Sequence, residues 1–102
     1  MWAQIIKVRV KSGKEDDLRR IMEQVRAIEQ PDSGLRRSTM MRDKKDPHTF
    51  YTMIVVESEE KARAHERDPR RQGVQGLQAQ MAEALDGPPE FIDLEVVDEV
   101  AV

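Results

Sequence analysis

The sequence has no cysteine. Disulfides, a thiolate nucleophile and thiolate metal sites are thereby excluded. That composition fits a reducing compartment, and a cytoplasmic location is the expectation. Aromatic residues are scarce, with one Trp, one Tyr and two Phe. No apolar run approaches transmembrane length. The opening MWAQIIKVRVK lacks the basic start and the apolar stretch before a small-residue cleavage site that mark a secretion signal, so no membrane role is expected. Charge of one sign is lacking too, with 17 Lys and Arg against 20 Asp and Glu. Nucleic-acid binding favours a basic bias, and there is none. The pairs Arg36-Arg37 and Arg70-Arg71 sit among acids. The G-x-S-x-G, P-loop and dinucleotide fingerprints are missing. His48 and His65 stand outside any HxxxH or HExxH spacing, so neither a metal nor a cofactor is expected from local motifs.

What is present is well-patterned apolarity. A chain of 102 residues suits one domain, 1–102, with a small core that oligomerisation would help to stabilise. Residues 2–11 alternate, with Trp2, Gln4, Ile6, Val8 and Val10 on one face and Ala3, Ile5, Lys7 and Arg9 on the other, which predicts a half-buried strand. Ser12-Gly13-Lys14-Glu15 has the form of a capping box. Leu18, Ile21, Met22, Val25 and Ile28 then recur at helical spacing. Pro31-Asp32-Ser33-Gly34 ends that helix. Strands follow at Leu35–Arg42 and at the almost wholly apolar Thr49–Val56, joined by the polar turn Asp43–His48, short enough to demand antiparallel pairing. Ser58 with Glu59 and Glu60 opens a second helix. Asp68-Pro69 breaks and restarts it, with Gly73 and Gly76 weakening the restart. A last strand is expected over Phe91–Val97.

The order is β-α-β-β-α-β. It predicts an α+β, ferredoxin-like fold: a four-stranded antiparallel sheet with two helices on one face. The other sheet face, with Ala3 and Ile5, needs a cover, and a second copy packed sheet to sheet would supply it.

Four pieces of sequence carry a family resemblance. These are Asp46-Pro47 leading into Phe50–Val56, Ser58-Glu59-Glu60 followed by Ala64-His65, the break Asp68-Pro69-Arg70, and Leu85-Asp86-Gly87-Pro88-Pro89-Glu90. In order and spacing they resemble the antibiotic biosynthesis monooxygenase-like domains of the dimeric α/β-barrel superfamily. The resemblance implies a homodimeric α/β barrel with a pocket between sheet and helices in each subunit. It also implies oxidation of electron-rich polyphenols or quinols by O2 without metal or flavin, so no cofactor. Many members carry Glu and Trp just before the Ser-Glu-Glu, where this chain has Ile54 and Val56. The haem-degrading branch pairs a helix-two His with a strand-one Asn and that Trp. Here Gln4 stands in place of the Asn and the Trp is missing, which argues against haem chemistry.

Each candidate site residue has a functional and a structural reading. His65 carries an imidazole, the side chain most often used as a general base; it also suits a helix histidine that caps a carbonyl or packs against the sheet. Gln4 can orient a substrate oxygen or satisfy a backbone group. Trp2 can wall a pocket or pack a core or interface. Tyr51 can donate to a substrate oxygen or face a barrel interior. His48 reads as a solvent-exposed turn residue. Met40, Met41, Met53 and Met81 read as core filler. Two functions stand side by side: a cofactor-independent monooxygenase acting on a small aromatic, and a non-catalytic homodimeric module that binds a small ligand or serves a stress response.

Overall fold

The computed structural model describes residues 1–68 and 74–102. Strands β1 (Trp2–Arg9), β2 (Leu35–Arg42), β3 (Thr49–Val56) and β4 (Glu90–Glu95) form one antiparallel sheet in the order β2-β3-β1-β4. Helix α1 is Glu15–Ala27; the second helical connection comes in two pieces, α2 (Glu59–Glu66) and α3 (Val74–Ala84). The α+β ferredoxin-like order is therefore present, with three helices among the described residues. The expected break at Asp68-Pro69 and the weakening at Gly73 fall mostly outside the described residues. β4 is shorter than the strand expected over Phe91–Val97. Among the described residues no helix is long and apolar enough to cross a membrane.

Register decides which side chains face the helices. Trp2 pairs with Val56, Gln4 with Ile54, Ile6 with Thr52 and Val8 with Phe50. These positions share one face because side chains alternate along a strand. At one end of the face, Val8, Val10 and Phe50 bury against Leu18 of α1 and Leu85 beyond α3. At the other end Trp2 and Val56 bury against Ala62 of α2. The two clusters are separate. The opposite face carries Ala3, Ile5 and Lys7 of β1 with Met53 and Tyr51 of β3, and Ile92 and Leu94 of β4 continue it.

Three local expectations need correction. Ser12 does not cap α1: Lys14 is the N-cap residue and no side chain bonds the first turn. Gly13 takes φ +83°, which carries the chain round before the helix begins and removes Ser12 from the capping position. His48 is half-buried, not exposed, with Nδ1 lying 3.3 Å from Glu15 Oε1. That contact is electrostatic, since the nitrogen lacks hydrogen-bond alignment. The methionines divide: Met40 and Met81 pack against the larger cluster, while Met41 is 45% exposed. Ser58, by contrast, caps α2 as its sequence predicts, accepting from the Lys61 amide at 3.1 Å.

The β2–β3 turn is organised by Asp46. Its carboxylate accepts from the Thr49 hydroxyl at 2.8 Å, from the His48 amide at 3.2 Å and from Arg9 at 2.7 Å. The Thr49 hydroxyl, then the His48 amide and the Arg9 charge, hold Asp46 below the ordinary aspartate range. Glu15 is likewise held low, by its own amide at the helix start and by His48. Lys61, followed by Arg36, does the same for Glu57. Groups whose folded pKa is depressed contribute stability above their unfolded pKa, and that contribution is lost as pH falls through the folded value. The urea midpoint is therefore expected to drop between about pH 6 and about pH 3, and Asp46→Asn to narrow the difference. A midpoint equally pH-sensitive in wild type and Asp46→Asn would show that this carboxylate does not contribute.

Candidate active site

The gap between the two core clusters is a cleft of about 770 Å³. Its floor is the sheet: Ile6, Thr52 and Ile54 from the central strands, with Ser38 and Met40 from β2. Helix α1 contributes Met22 and Val25, which sit one turn apart on a face that only helical periodicity would put there. The far end is closed by Trp2, Val56 and Ala62. The lining mixes an apolar floor and end wall with polar and charged side chains from the helices, and the volume falls in the range of small-molecule sites. Charges of both signs, Arg19, Arg26, Glu23 and Glu66, border it, so the cleft has no single-sign field.

His65 and Glu29 both line this cleft. His65 Nε2 lies 3.1 Å from each carboxylate oxygen of Glu29. A carboxylate can only accept, so the pairing places the proton on Nε2 and selects the tautomer whose basic lone pair is on Nδ1. The His65 side chain is 14% exposed, dry enough for the contact to matter electrostatically. Glu29 lies just past the end of α1 and His65 in the last turn of α2, so the pair also ties the two helices across the cleft.

The other candidates are placed differently. Trp2 is in the cleft wall, 7% exposed. Gln4 is buried on the same face, but its amide is spent on Asp93 of β4, donating to Oδ1 at 2.9 Å. Tyr51 is on the opposite face of the sheet, where Lys7 Nζ lies 5.9 Å from its ring centroid, so it does not line this cleft. Sequence reasoning passed over Glu29 and Ser38. Strand parity sets Tyr51 and Thr52 on opposite faces of β3, so that at most one can see the pocket, and the one that does is Thr52, on the face of Ile54 and Val56, not Tyr51. Glu29 had no local signal, because its partner is 36 residues away. Among the described residues no group of three or more Asp, Glu or His is placed to hold a metal ion.

Comparison with known proteins gives this geometry a setting. The family model described as antibiotic biosynthesis monooxygenase matches residues 1–77. The solved structure of SnoaB, a cofactor-independent oxygenase from Streptomyces nogalater crystallised as a point mutant, superposes with a TM-score of 0.79 at 13% identity, covering 97% of this chain and 95% of that one. Rv0793 from Mycobacterium tuberculosis gives 0.78 at 19% identity, covering 98% of each chain. A conserved protein from Methanosarcina mazei Go1 gives 0.77 at 14%, covering 92% and 91%. At these identities the structural likeness speaks to the fold alone. No curated protein sequence matches.

The helix tie makes a separate prediction. Glu29→Ala removes the carboxylate that α2 holds onto. Amide hydrogen exchange in Ala62–Glu66 is expected to quicken while that of Leu18–Met22, in the larger core, stays unchanged. Equal exchange in both proteins would mean that the pair carries none of the docking of α2.

Proposed function

We propose, from the premise that this chain belongs to the antibiotic biosynthesis monooxygenase family, that it oxidises a small electron-rich aromatic in the cleft between sheet and helices. The observation that carries this reading is the His65–Glu29 pair at the margin of a cleft whose floor and end wall, Ile6, Ile54, Trp2, Val56 and Ala62, are apolar. A base beside an apolar surface, oriented by a carboxylate, is the arrangement needed to take a proton from a phenol or an anthrone-type carbon. The resulting carbanion is stabilised by its rings and can pass an electron to O2. Recombination of the radical pair gives a hydroperoxide. Loss of water then leaves a carbonyl: one oxygen atom is retained, the other departs with the two substrate hydrogens, and the substrate supplies all the electrons. The protein's part is to hold the substrate flat, remove the proton and keep water out. Trp2, Ile54 and Val56 serve the first and last of these.

A second reading is favoured by the floor of the cleft, where Ser38 and Thr52 are the polar residues among Ile6, Met40 and Ile54. Such a surface binds an aromatic ligand without obliging it to react. One experiment separates the two. Oxygen uptake by the purified protein is measured over anthrones, quinols and flavonoid-type phenols, with His65→Ala alongside. Uptake above the buffer rate that falls at least about tenfold in the variant is the expected result, since a general base contributes factors of roughly 10²–10⁴. Flat traces with ligand-dependent rises in melting temperature would establish binding without turnover. Uptake that persists in His65→Ala would remove His65 as the base and leave the oxygenase.

The same reading makes the protein a homodimer. The sheet face away from the helices carries Ile92 at 49%, Leu94 at 41% and Met41 at 45% exposure, beside half-buried Ile5 and Met53. A contiguous apolar sheet face of this kind needs a cover, and a second sheet is the complementary shape. Light scattering at micromolar concentration is expected to give twice the chain mass, and Ile92→Asp to give monomer. A wild-type monomer would refute the dimer.

A further inference from the structure

We infer that Arg63 is a positioning residue for the cleft: it holds the Trp2 indole in place from outside, so that the ring forms a fixed aromatic wall. The inference rests on the reading of the cleft as a site for a planar aromatic. The Arg63 guanidinium carbon lies 5.3 Å from the centroid of the Trp2 ring, within the range of a cation–π contact. Trp2 lines the cleft, whereas Arg63 is not one of the described residues that do. The arginine therefore reaches the indole without occupying ligand space.

Arg63 is itself fixed. Its Nη2 donates to Asp93 Oδ2 at 3.1 Å and lies 3.8 Å from Glu59 Oε1, and its Nη1 donates to Glu66 Oε1 at 3.2 Å. The other oxygen of Asp93 accepts from Gln4 at 2.9 Å. Gln4 and Asp93 are direct cross-strand partners, and Gln4 is 8% exposed. A continuous path thus runs from the buried amide of Gln4, through the carboxylate of Asp93, to a planar cation laid on the indole. Arginine is suited to this because its flat fork stacks and hydrogen-bonds at once, which the point charge of lysine does less well. The physical need is clear. Trp2 is the first residue of β1, packed with Val56, Ala62 and half-buried Ile54, and the Arg63 guanidinium adds a contact to its ring. A ring free to tilt would present a shifting wall to any flat ligand and would spend affinity on ordering it.

Trp2 is the only tryptophan in the chain, so its fluorescence reports on this wall alone. Acrylamide quenching and steady-state anisotropy are measured for wild type, Arg63→Ala, Arg63→Lys and Asp93→Asn, each compared with its own melting temperature. The planar probe anthraquinone-2-sulfonate is then titrated into each by quenching of the same emission. Arg63→Ala is expected to raise the acrylamide quenching constant about twofold, lower the anisotropy and weaken the probe about fivefold, in keeping with a partly desolvated cation–π contact. Arg63→Lys should recover part of each change, and Asp93→Asn, which weakens the arginine's tie to β4 while leaving Glu59 and Glu66 beside it, should fall between. A purely structural tie would lower the melting temperature of Arg63→Ala without moving quenching or anisotropy, and that result overturns the inference. If Arg63→Ala does not fold, unchanged quenching and anisotropy in both Arg63→Lys and Asp93→Asn would overturn it equally. If the probe binds no form while quenching and anisotropy still respond, Arg63 holds the indole and it is the aromatic-cleft reading that fails.

Discussion

The constraint on which the rest depends is the register of β1 against β3, from Trp2 opposite Val56 to Arg9 opposite Thr49. Side chains on a strand alternate between faces, so a slip of one residue would turn every one of them over. In the observed register Trp2, Ile6, Val8, Phe50, Ile54 and Val56 all meet the helices. After a slip of β1 alone, Lys7 and Arg9 would be driven toward α1 and the core while Trp2 and Val8 left it. Burying those charges without partners costs far more than the hydrogen bonds of the ladder would return. The sequence of β1 therefore selects the register, and the register selects core, cleft and open face together.

The cleft follows from how little the helices cover. A chain of this length can bury only a small core. Here that core is divided between the Val8–Leu18–Leu85 end and the Trp2–Val56–Ala62 end. Ile6, Met22 and Met40 line the edge of the first cluster and Ile54 the edge of the second, each half-buried and each facing the gap. Filling that gap with larger side chains would bury more apolar surface. Keeping it open forgoes that stabilisation, which is the usual tension between stability and function if the cleft is the site proposed above. The His65–Glu29 contact joins the end of α1 to the last turn of α2 at the edge of this gap.

Much of this was legible in the sequence, and the remainder failed for a consistent reason. Alternation placed β1 and its faces, and a nearly unbroken apolar run placed β3. Ser58 announced α2 because an N-cap acts within one turn of itself. Ser12 met the same local rule and does not cap, because the left-handed Gly13 puts Lys14 in that place. Parity alone separates Tyr51 from the cleft: it pairs with Lys7, and Lys7 is on the face of Ile5. What local pattern could not give were contacts between distant elements. Glu29 ends one helix and meets a histidine in the next; Arg63 leaves α2 to meet a carboxylate of the last strand. His48 was misread because its turn is charged, and what half-buries it beside Glu15 is the packing of that turn against the start of α1. Each is fixed by how elements dock, and no spacing within one element encodes that.

The tryptophan shows how a local departure can be absorbed by the sheet. The resemblance that the sequence bears to its family sets a tryptophan on strand three just before the Ser-Glu-Glu, and this chain has Val56 at that place. Yet Val56 is the direct cross-strand partner of Trp2, on the same face and in the same cleft wall. Side chains opposite one another in an antiparallel pair have Cβ atoms about 4.5–5.5 Å apart, a smaller distance than an indole is long. An aromatic body can thus occupy nearly the same volume from either strand. The move is not free of consequence. A ring rooted on β1 approaches the cleft from the side of β4, and on that side this chain supplies Asp93 and, from α2, Arg63. On the inference drawn for Arg63, an indole rooted on β1 depends on that contact for its orientation, whereas without the indole the same arginine would make only surface ion pairs of little worth.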